Sequence, residues 1–407
     1  MAEFKIRALG RQGDGIADGP VFVQRALPGE TITGDPVDGR IFAPKIVEPS
    51  SDRVKPPCRH FKVCGGCLMQ HASDPLLATW KMDIVRDALA AEGVDAPMRD
   101  IAVSPPRSRR RAKYAARRTK SGAMAGFHAR ASDALVDIQD CPLVVPGLDG
   151  GPALARELAI EGASRKGEIT VHCTATPNGM DVSVEGGKPI DETLTIRLPQ
   201  IAIDHNVVRL FWDRELVAQS ATAKHPIGQA QVTLSPGAFL QATEHGETTL
   251  QDCVLEAIKG AKSVLDLFSG CGTFALRIAE TAPVTAYEYD KPMTQACQDA
   301  ANHANLTHPV KALSRDLFGD PLIPAELSKF DAVVLDPPRA GAAAQVAQLA
   351  KSDVQTIAYV SCDPATFARD AKILTGAGYV TQWVQVVDQF RWSAHVELAA
   401  CFVRTDK

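Results

Sequence analysis

From residue 231 onward, short apolar segments alternate with stretches of helical character, and few folds accommodate that rhythm. Strands are expected at 263–267 (SVLDL), 284–289 (VTAYEY), 309–314 (PVKALS), 331–336 (DAVVLD), 356–361 (TIAYVS), 380–386 (VTQWVQV) and 396–403 (VELAACFV). Strand and helix in turn is the signature of a parallel sheet with helices on both faces, so the expectation is an α/β, Rossmann-like domain over 231–407. In such sheets ligands sit at the carboxyl ends of the strands. The residues just after each strand are therefore the ones to inspect.

After the first of these strands comes DLFSGCGTFAL. Gly270 and Gly272 let the backbone approach a ligand closely, and Thr273 is expected to open a helix whose N-terminus can hold a nucleotide-like group. Glu288 ends the second strand, where a carboxylate can accept hydrogen bonds from both hydroxyls of a ribose. NAD and S-adenosylmethionine both carry one. The loop lacks the full G-x-G-x-x-G of a dinucleotide site, which favours the smaller cofactor. Asp316, after the third strand, suits either the adenine end of that cofactor or the cap of the next helix. Asp336 begins DPPRAG, where two prolines fix the loop.

Cys362 follows an apolar strand and precedes Asp363-Pro364, a helix start. Its thiol is expected to face the crevice, where a helix N-terminus favours the thiolate. In HVELA a period of two puts His395 and Glu397 on one face of the last strand. A lone Glu in an apolar run is costly to bury, so it is expected to have a function.

The upstream half reads differently. Residues 1–50 carry short β-rich pieces between Gly, Pro and Asp turns, as in a small barrel. Residues 51–230 read as α+β: a cysteine loop, a helix through LLATWKMDIVRDALAAEG, a basic run, and strands at EITVHCTAT, GMDVSVEG and TLTIRLP. In the basic run, residues 107–120, eight of fourteen are Arg or Lys around Tyr114, which suits a solvated strand or a phosphate-binding face. The chain as a whole is acidic, at −4, so it does not coat nucleic acid everywhere.

PPCRHFKVCGGC, residues 56–67, puts Cys58, Cys64 and Cys67 in a C-x5-C-x2-C spacing, with Gly65 and Gly66 allowing a tight turn. The start of the chain has no long apolar segment and none elsewhere reaches membrane-span length, so a cytoplasmic protein without a membrane partner is expected. Thiols stay reduced in that compartment, and a cluster of them implies ligation or catalysis. Cys141, in QDCP, is the best fourth ligand because a proline follows it as in some iron-sulfur runs. A zinc site of four thiolates is less natural without a second C-x2-C. The remaining cysteines, Cys173, Cys253, Cys271, Cys297 and Cys401, read as small buried hydrophobes.

Taken together, ALPGE, PPCRHFKVCGGC with QDCP, FLQ at 239–241, DLFSGCGTF, DPPRAG, YVSCDPATFARD and HVE make the sequence resemble the uracil-5 RNA methyltransferases nearly end to end. The resemblance implies a class I methyltransferase domain, a central α+β RNA-binding domain with a [4Fe-4S] cluster on Cys58, Cys64, Cys67 and Cys141, and a reduced N-terminal TRAM-like (OB-like) barrel. It implies S-adenosylmethionine held by Gln241, Phe268, Thr273, Glu288, Asp316 and Asp336, with Cys362 as nucleophile and Glu397 as general base. The expected substrate is a uridine in rRNA or tRNA, 23S rRNA favoured, and the expected state a monomer. Two departures stand out. The barrel is shorter than usual, and the glycine loop carries Ser269 and Cys271. Two alternatives remain: methylation of an exocyclic amine, opposed by Arg339 where an aromatic would stack, and a non-catalytic RNA-binding protein, opposed by the presence of both Cys362 and Glu397.

Overall fold

Eight strands form the sheet of the C-terminal half, in the spatial order Val310–Ser314, Val284–Glu288, Val264–Leu267, Ala332–Leu335, Thr356–Ser361, Glu397–Arg404, Tyr379–Asp388 and Ala102–Val103. The structure is a computed structural model and describes residues 2 to 405. The first five strands run parallel, while Glu397–Arg404 pairs antiparallel with both of its neighbours. Chain order reverses between Val264–Leu267 and Ala332–Leu335, which creates a crevice at their carboxyl ends.

Alternation along these strands builds two cores, because successive side chains point to opposite faces. Leu265, Leu335, Tyr359 and Phe402 pack on one face with Trp80, Val85 and Leu89 of helix Asp74–Ala91 and with Phe367 and Leu374 of helix Pro364–Gly376. Val264, Val334, Ala358 and Val360 face the other way, onto Leu250 and Val254 of helix Glu244–Ala257 and Cys297 of helix Lys291–His303. Phe367 is wholly buried, so truncating it to Ala would cost about 3–5 kcal/mol. The cap expected before that helix forms: Asp363 accepts from the amides of Ala365 and Thr366, and Pro364 occupies the first turn, where its missing N–H costs nothing.

Residues Ala2–Leu9 through Lys45–Glu48 form a six-stranded sheet over a small core of Ile6, Val23, Ile32 and Ile41. A seven-stranded sheet follows, from Leu135–Asp137 to Glu215–Gln219, covered by helices Gly151–Gly162 and Glu192–Asp204. TLTIRLP, expected as a strand, lies within the second of these helices. Asp191 caps that helix by accepting from the Leu194 amide at 2.8 Å, and Leu194, Leu198 and Ile201 are buried at helical spacing. That stripe outweighs the β propensity of the threonines and isoleucine. Packing also cuts across the expected 51–230 unit, since helix Asp74–Ala91 and strand Ala102–Val103 join the eight-stranded sheet. Among the described residues no helix is long and apolar enough to cross a membrane.

Candidate active site

The loop after Val264–Leu267 takes its shape from three residues with positive φ. Gly270 and Gly272 sit at +55° and +95°, and a Cβ on Gly272 would come within 2.6 Å of Cys297 Sγ. Phe268 also has a positive φ, +62°, a strained conformation for a bulky residue, and its ring tilts against Phe318 with centroids 5.5 Å apart. The helix that follows is a correction to expectation. It spans only Ala275–Ile278, without a side-chain cap, so Thr273 stands before it rather than opening it. Glu288 accepts from the amides of Gly270 at 3.0 Å and Asp290 at 2.9 Å, tying the second strand end to the glycine loop. Asp316 accepts from Phe318 N and Gly319 N, closing its own turn, and still reaches the cavity.

Gln241, Phe268, Thr273, Glu288, Asp316, Asp336, Cys362 and Glu397 all line one cavity of about 850 Å3 at the crevice. Its carboxylates are crowded. Burial and then the charge of Glu288 push Asp336 up to about 7, and burial followed by Asp336 pushes Glu397 up to about 8. Behind them Asp266 is wholly buried, and burial followed by the charge of Asp336 holds its pKa far above the usual range, with the Ala275 backbone amide opposing the rise. Cys362 departs from expectation. Burial, then Glu397 and Asp336, push its thiol up to about 11, outweighing the helix N-terminus that was expected to favour the thiolate. His395 departs as well: it is exposed and precedes strand Glu397–Arg404, so it does not share a strand face with Glu397. It lies at the cavity mouth, with Nδ1 3.5 Å from Arg339 Nη2.

Part of the basic run turns inward. Arg110 is buried, donates through Nε to Gln241 O at 2.9 Å and pairs with Glu247, which also meets His225 Nε2 at 3.0 Å. Arg111 donates to Leu240 O at 2.5 Å, and its guanidinium lies over the Phe239 ring. These two arginines therefore hold the backbone that presents Gln241. Tyr114 is fully buried and cannot stack on a base, whereas Lys113, Arg118 and Lys120 remain exposed. Gln389 was not anticipated: this buried amide bonds Gln241 Oε1 at 2.6 Å, Glu397 Oε2 at 3.0 Å and Ala242 N at 2.7 Å.

Cys58, Cys64, Cys67 and Cys141 line a second cavity, of about 410 Å3, together with Arg109. Arg339, Phe390 and His395 line both cavities and form their common wall. Burial pushes the Cys67 thiol up to about 12, and the other three thiols of the set add to the rise. Soft sulfur donors whose thiolate forms repel one another suit a thiophilic cation such as iron or zinc. As they stand, however, no three His, Cys, Asp or Glu side chains among the described residues are grouped closely enough to hold a metal ion.

A doubly wound sheet with a strained glycine loop, a carboxylate at the second strand end and a cysteine facing the crevice defines an α/β enzyme of the class I methyltransferase type. Residues 209–405 match the family model described as tRNA (uracil-5-)-methyltransferase. An uncharacterized RNA methyltransferase of Brucella suis is 38% identical over 99% of this chain and 98% of that protein. The 23S rRNA (uracil(1939)-C(5))-methyltransferase RlmD of Halomonas elongata is 32% identical over 97% of this chain and 88% of its own length. The crystal structure of the Pyrococcus abyssi tRNA (uracil-54, C5)-methyltransferase, solved with S-adenosyl-L-homocysteine, superposes with a TM-score of 0.79 at 22% identity, covering 98% of this chain and 99% of the other. The chain belongs to the uracil-5 RNA methyltransferases, S-adenosylmethionine-dependent enzymes.

Proposed function

We propose that this enzyme methylates C5 of a specific uridine in RNA through a covalent adduct between Cys362 and C6 of the base. The observation that carries the reading is that Cys362, Glu397 and six polar or aromatic groups suited to a nucleoside cofactor line one cavity. Gln241, Phe268, Thr273, Glu288, Asp316 and Asp336 would hold S-adenosylmethionine, with Glu288 on the ribose and Gln241, whose amide nitrogen has two hydrogens to donate, shared between the cofactor and the target base. Bound there, the cofactor supplies an electrophilic methyl group.

Uracil C5 is a weak nucleophile. Addition of the Cys362 thiolate to C6 places negative charge on C5, which can then take up the methyl group. The C5 proton must leave before the thiolate can be eliminated, and Glu397 accepts it. A carboxyl raised to about 8 is well suited to that step, because a base is most effective when its pKa lies near the working pH. The thiol, at about 11 without ligands, requires a nearby positive charge or a proton acceptor to ionise. Arg339 already acts in that direction on Cys362. The target base has to leave its stack to reach Cys362, with the exposed Lys113, Arg118 and Lys120 available to neighbouring phosphates.

The four-cysteine cavity is proposed to hold a [4Fe-4S] cluster on Cys58, Cys64, Cys67 and Cys141, a reading supported by the donor chemistry and by the cation Arg109 in its wall. Ligand binding there would draw the thiols closer than they now stand. A 23S rRNA target is favoured because a 32% identical relative carries that activity in its name. Mapping 5-methyluridine in rRNA and tRNA from cells with and without the gene tests the function. One uridine in 23S rRNA should lose its methyl group, and unchanged maps would overturn the reading.

A further inference from the structure

Gln389 is 2% exposed, and its side chain is held from three directions. Its Oε1 accepts from the backbone N–H of Ala242 at 2.7 Å. A backbone N–H can only donate, so this contact fixes which end of the amide is oxygen. Nε2 is then the donor, and it meets Gln241 Oε1 at 2.6 Å and Glu397 Oε2 at 3.0 Å. The polarity passes along the chain. With its oxygen held by Gln389, Gln241 keeps its own Nε2 as the donor for a ligand, and that nitrogen makes no hydrogen bond among the described residues while the residue lines the cavity.

We propose that Gln389 is a positioning residue with two outputs, holding Glu397 for proton removal and locking Gln241 as a hydrogen-bond donor toward the substrate base. The proposal rests on the uracil-5 reading given above. Uracil presents a carbonyl acceptor at position 4, where cytosine presents an amine donor. A Gln241 free to rotate would serve either base; a Gln241 fixed by Gln389 serves the first. Glu397 is faced by Asp336 at the end of strand Ala332–Leu335, by Arg339 in the next loop and by Cys362 before helix Pro364–Gly376. Asp336 disfavours its ionised form, whereas Gln389 and Arg339 favour it.

The sign of the pH effect follows. Proton removal needs the carboxylate, so its rate rises with pH through the Glu397 pKa of about 8. Removing the Gln389 donor withdraws a bond to the charged form, raises that pKa further and moves the rising limb to higher pH.

The test uses the full-length protein, RNA from a strain lacking the gene, and methyl-labelled S-adenosylmethionine in single-turnover reactions from pH 6 to 10. The same RNA target is also supplied with cytidine at the methylated position. Gln389→Leu deletes all three bonds, and Gln389→Glu keeps the bond from Ala242 N–H but offers an acceptor to both Gln241 and Glu397. The expected result is a limb displaced upward by about one pH unit in Gln389→Leu, release of 5-methyluridine roughly tenfold slower at pH 7, and a uridine-to-cytidine preference reduced roughly tenfold, with larger effects in Gln389→Glu. Wild-type pH profile and wild-type base preference in either folded variant would overturn the proposal, as would a change in only one of the two readouts. If one variant fails to fold, the other decides. Absence of 5-methyluridine with the wild-type enzyme would instead remove the proposed function itself.

Discussion

Lys81 Nζ lies 2.5 Å from Asp388 Oδ1, and the two side chains meet in the interior across 307 positions of sequence. The same ammonium donates to Phe390 O at 3.0 Å and His395 O at 3.1 Å, so its three hydrogens are all used. Helix Asp74–Ala91 thereby holds both ends of the segment that carries Gln389 and leads into Glu397. Burial pulls the Lys81 pKa below that of an ordinary lysine, and Asp388 opposes the fall. Lys81→Met should cost about 3–5 kcal/mol in urea denaturation, because it leaves the Asp388 carboxylate buried without its charge partner. Combining it with Asp388→Leu should recover a large part of that loss. A single variant as stable as wild type, or a double variant no better than the single, would show that the pair is not the clamp described.

Glu288 links the glycine loop to the second strand and faces the cavity. Glu288→Ala should weaken S-adenosylmethionine binding by about 1.5–3 kcal/mol, the usual range for a lost charge-assisted hydrogen bond. Calorimetry measures it directly. Unchanged affinity, or NAD binding as tightly as S-adenosylmethionine, would count against the ribose assignment.

Much of this architecture is legible in sequence because the signals are local. Each of the seven expected strands of the C-terminal half has its counterpart, and the eight residues expected to bind cofactor or carry catalysis line one cavity: most follow strand ends, which converge in a doubly wound sheet, whereas Gln241 and Phe268 are implied only by the family resemblance. What escaped notice depends on contacts distant in sequence. Gln389 meets Gln241 across 148 positions, and Arg110 meets Gln241 O across 131. Nothing in the residues flanking Gln389 separates it from a surface glutamine, and a run of arginines gives no sign of which side chains turn inward. His395 differs from expectation for another reason: period-two spacing holds only within the strand, which starts at Glu397, and His395 lies two residues before it in the loop that Lys81 holds. For Cys362 the helix N-terminus was legible, but the two carboxyls that oppose its ionisation, Glu397 and Asp336, come from elsewhere in the sheet.

The thiol set makes a prediction of its own. Protein purified without oxygen should be brown and contain about four irons and four sulfides per chain, and Cys141→Ser should lose the colour. Iron and acid-labile sulfide assays decide it. One zinc and no sulfide would make the cavity a zinc site instead.

The covalent mechanism separates this enzyme from an amine methyltransferase through two variants that must behave differently. With 5-fluorouridine at the target position, Cys362 addition and methylation can proceed, but fluorine at C5 cannot be removed as a proton, so the enzyme should stay attached to RNA in a denaturant-stable complex. Cys362→Ala should give neither complex nor product. Glu397→Gln lacks the base but keeps the nucleophile, so on ordinary uridine RNA it should add, methylate and stall, accumulating the same kind of complex. Denaturing gel electrophoresis of labelled RNA reads both. An amine methyltransferase would retain activity in Cys362→Ala, since it needs no covalent nucleophile, and a binding protein would yield no complex in any form. If Glu397→Gln released 5-methyluridine at the wild-type rate, proton removal would belong to another group at the cavity, with the neighbouring His395 imidazole the first to substitute next.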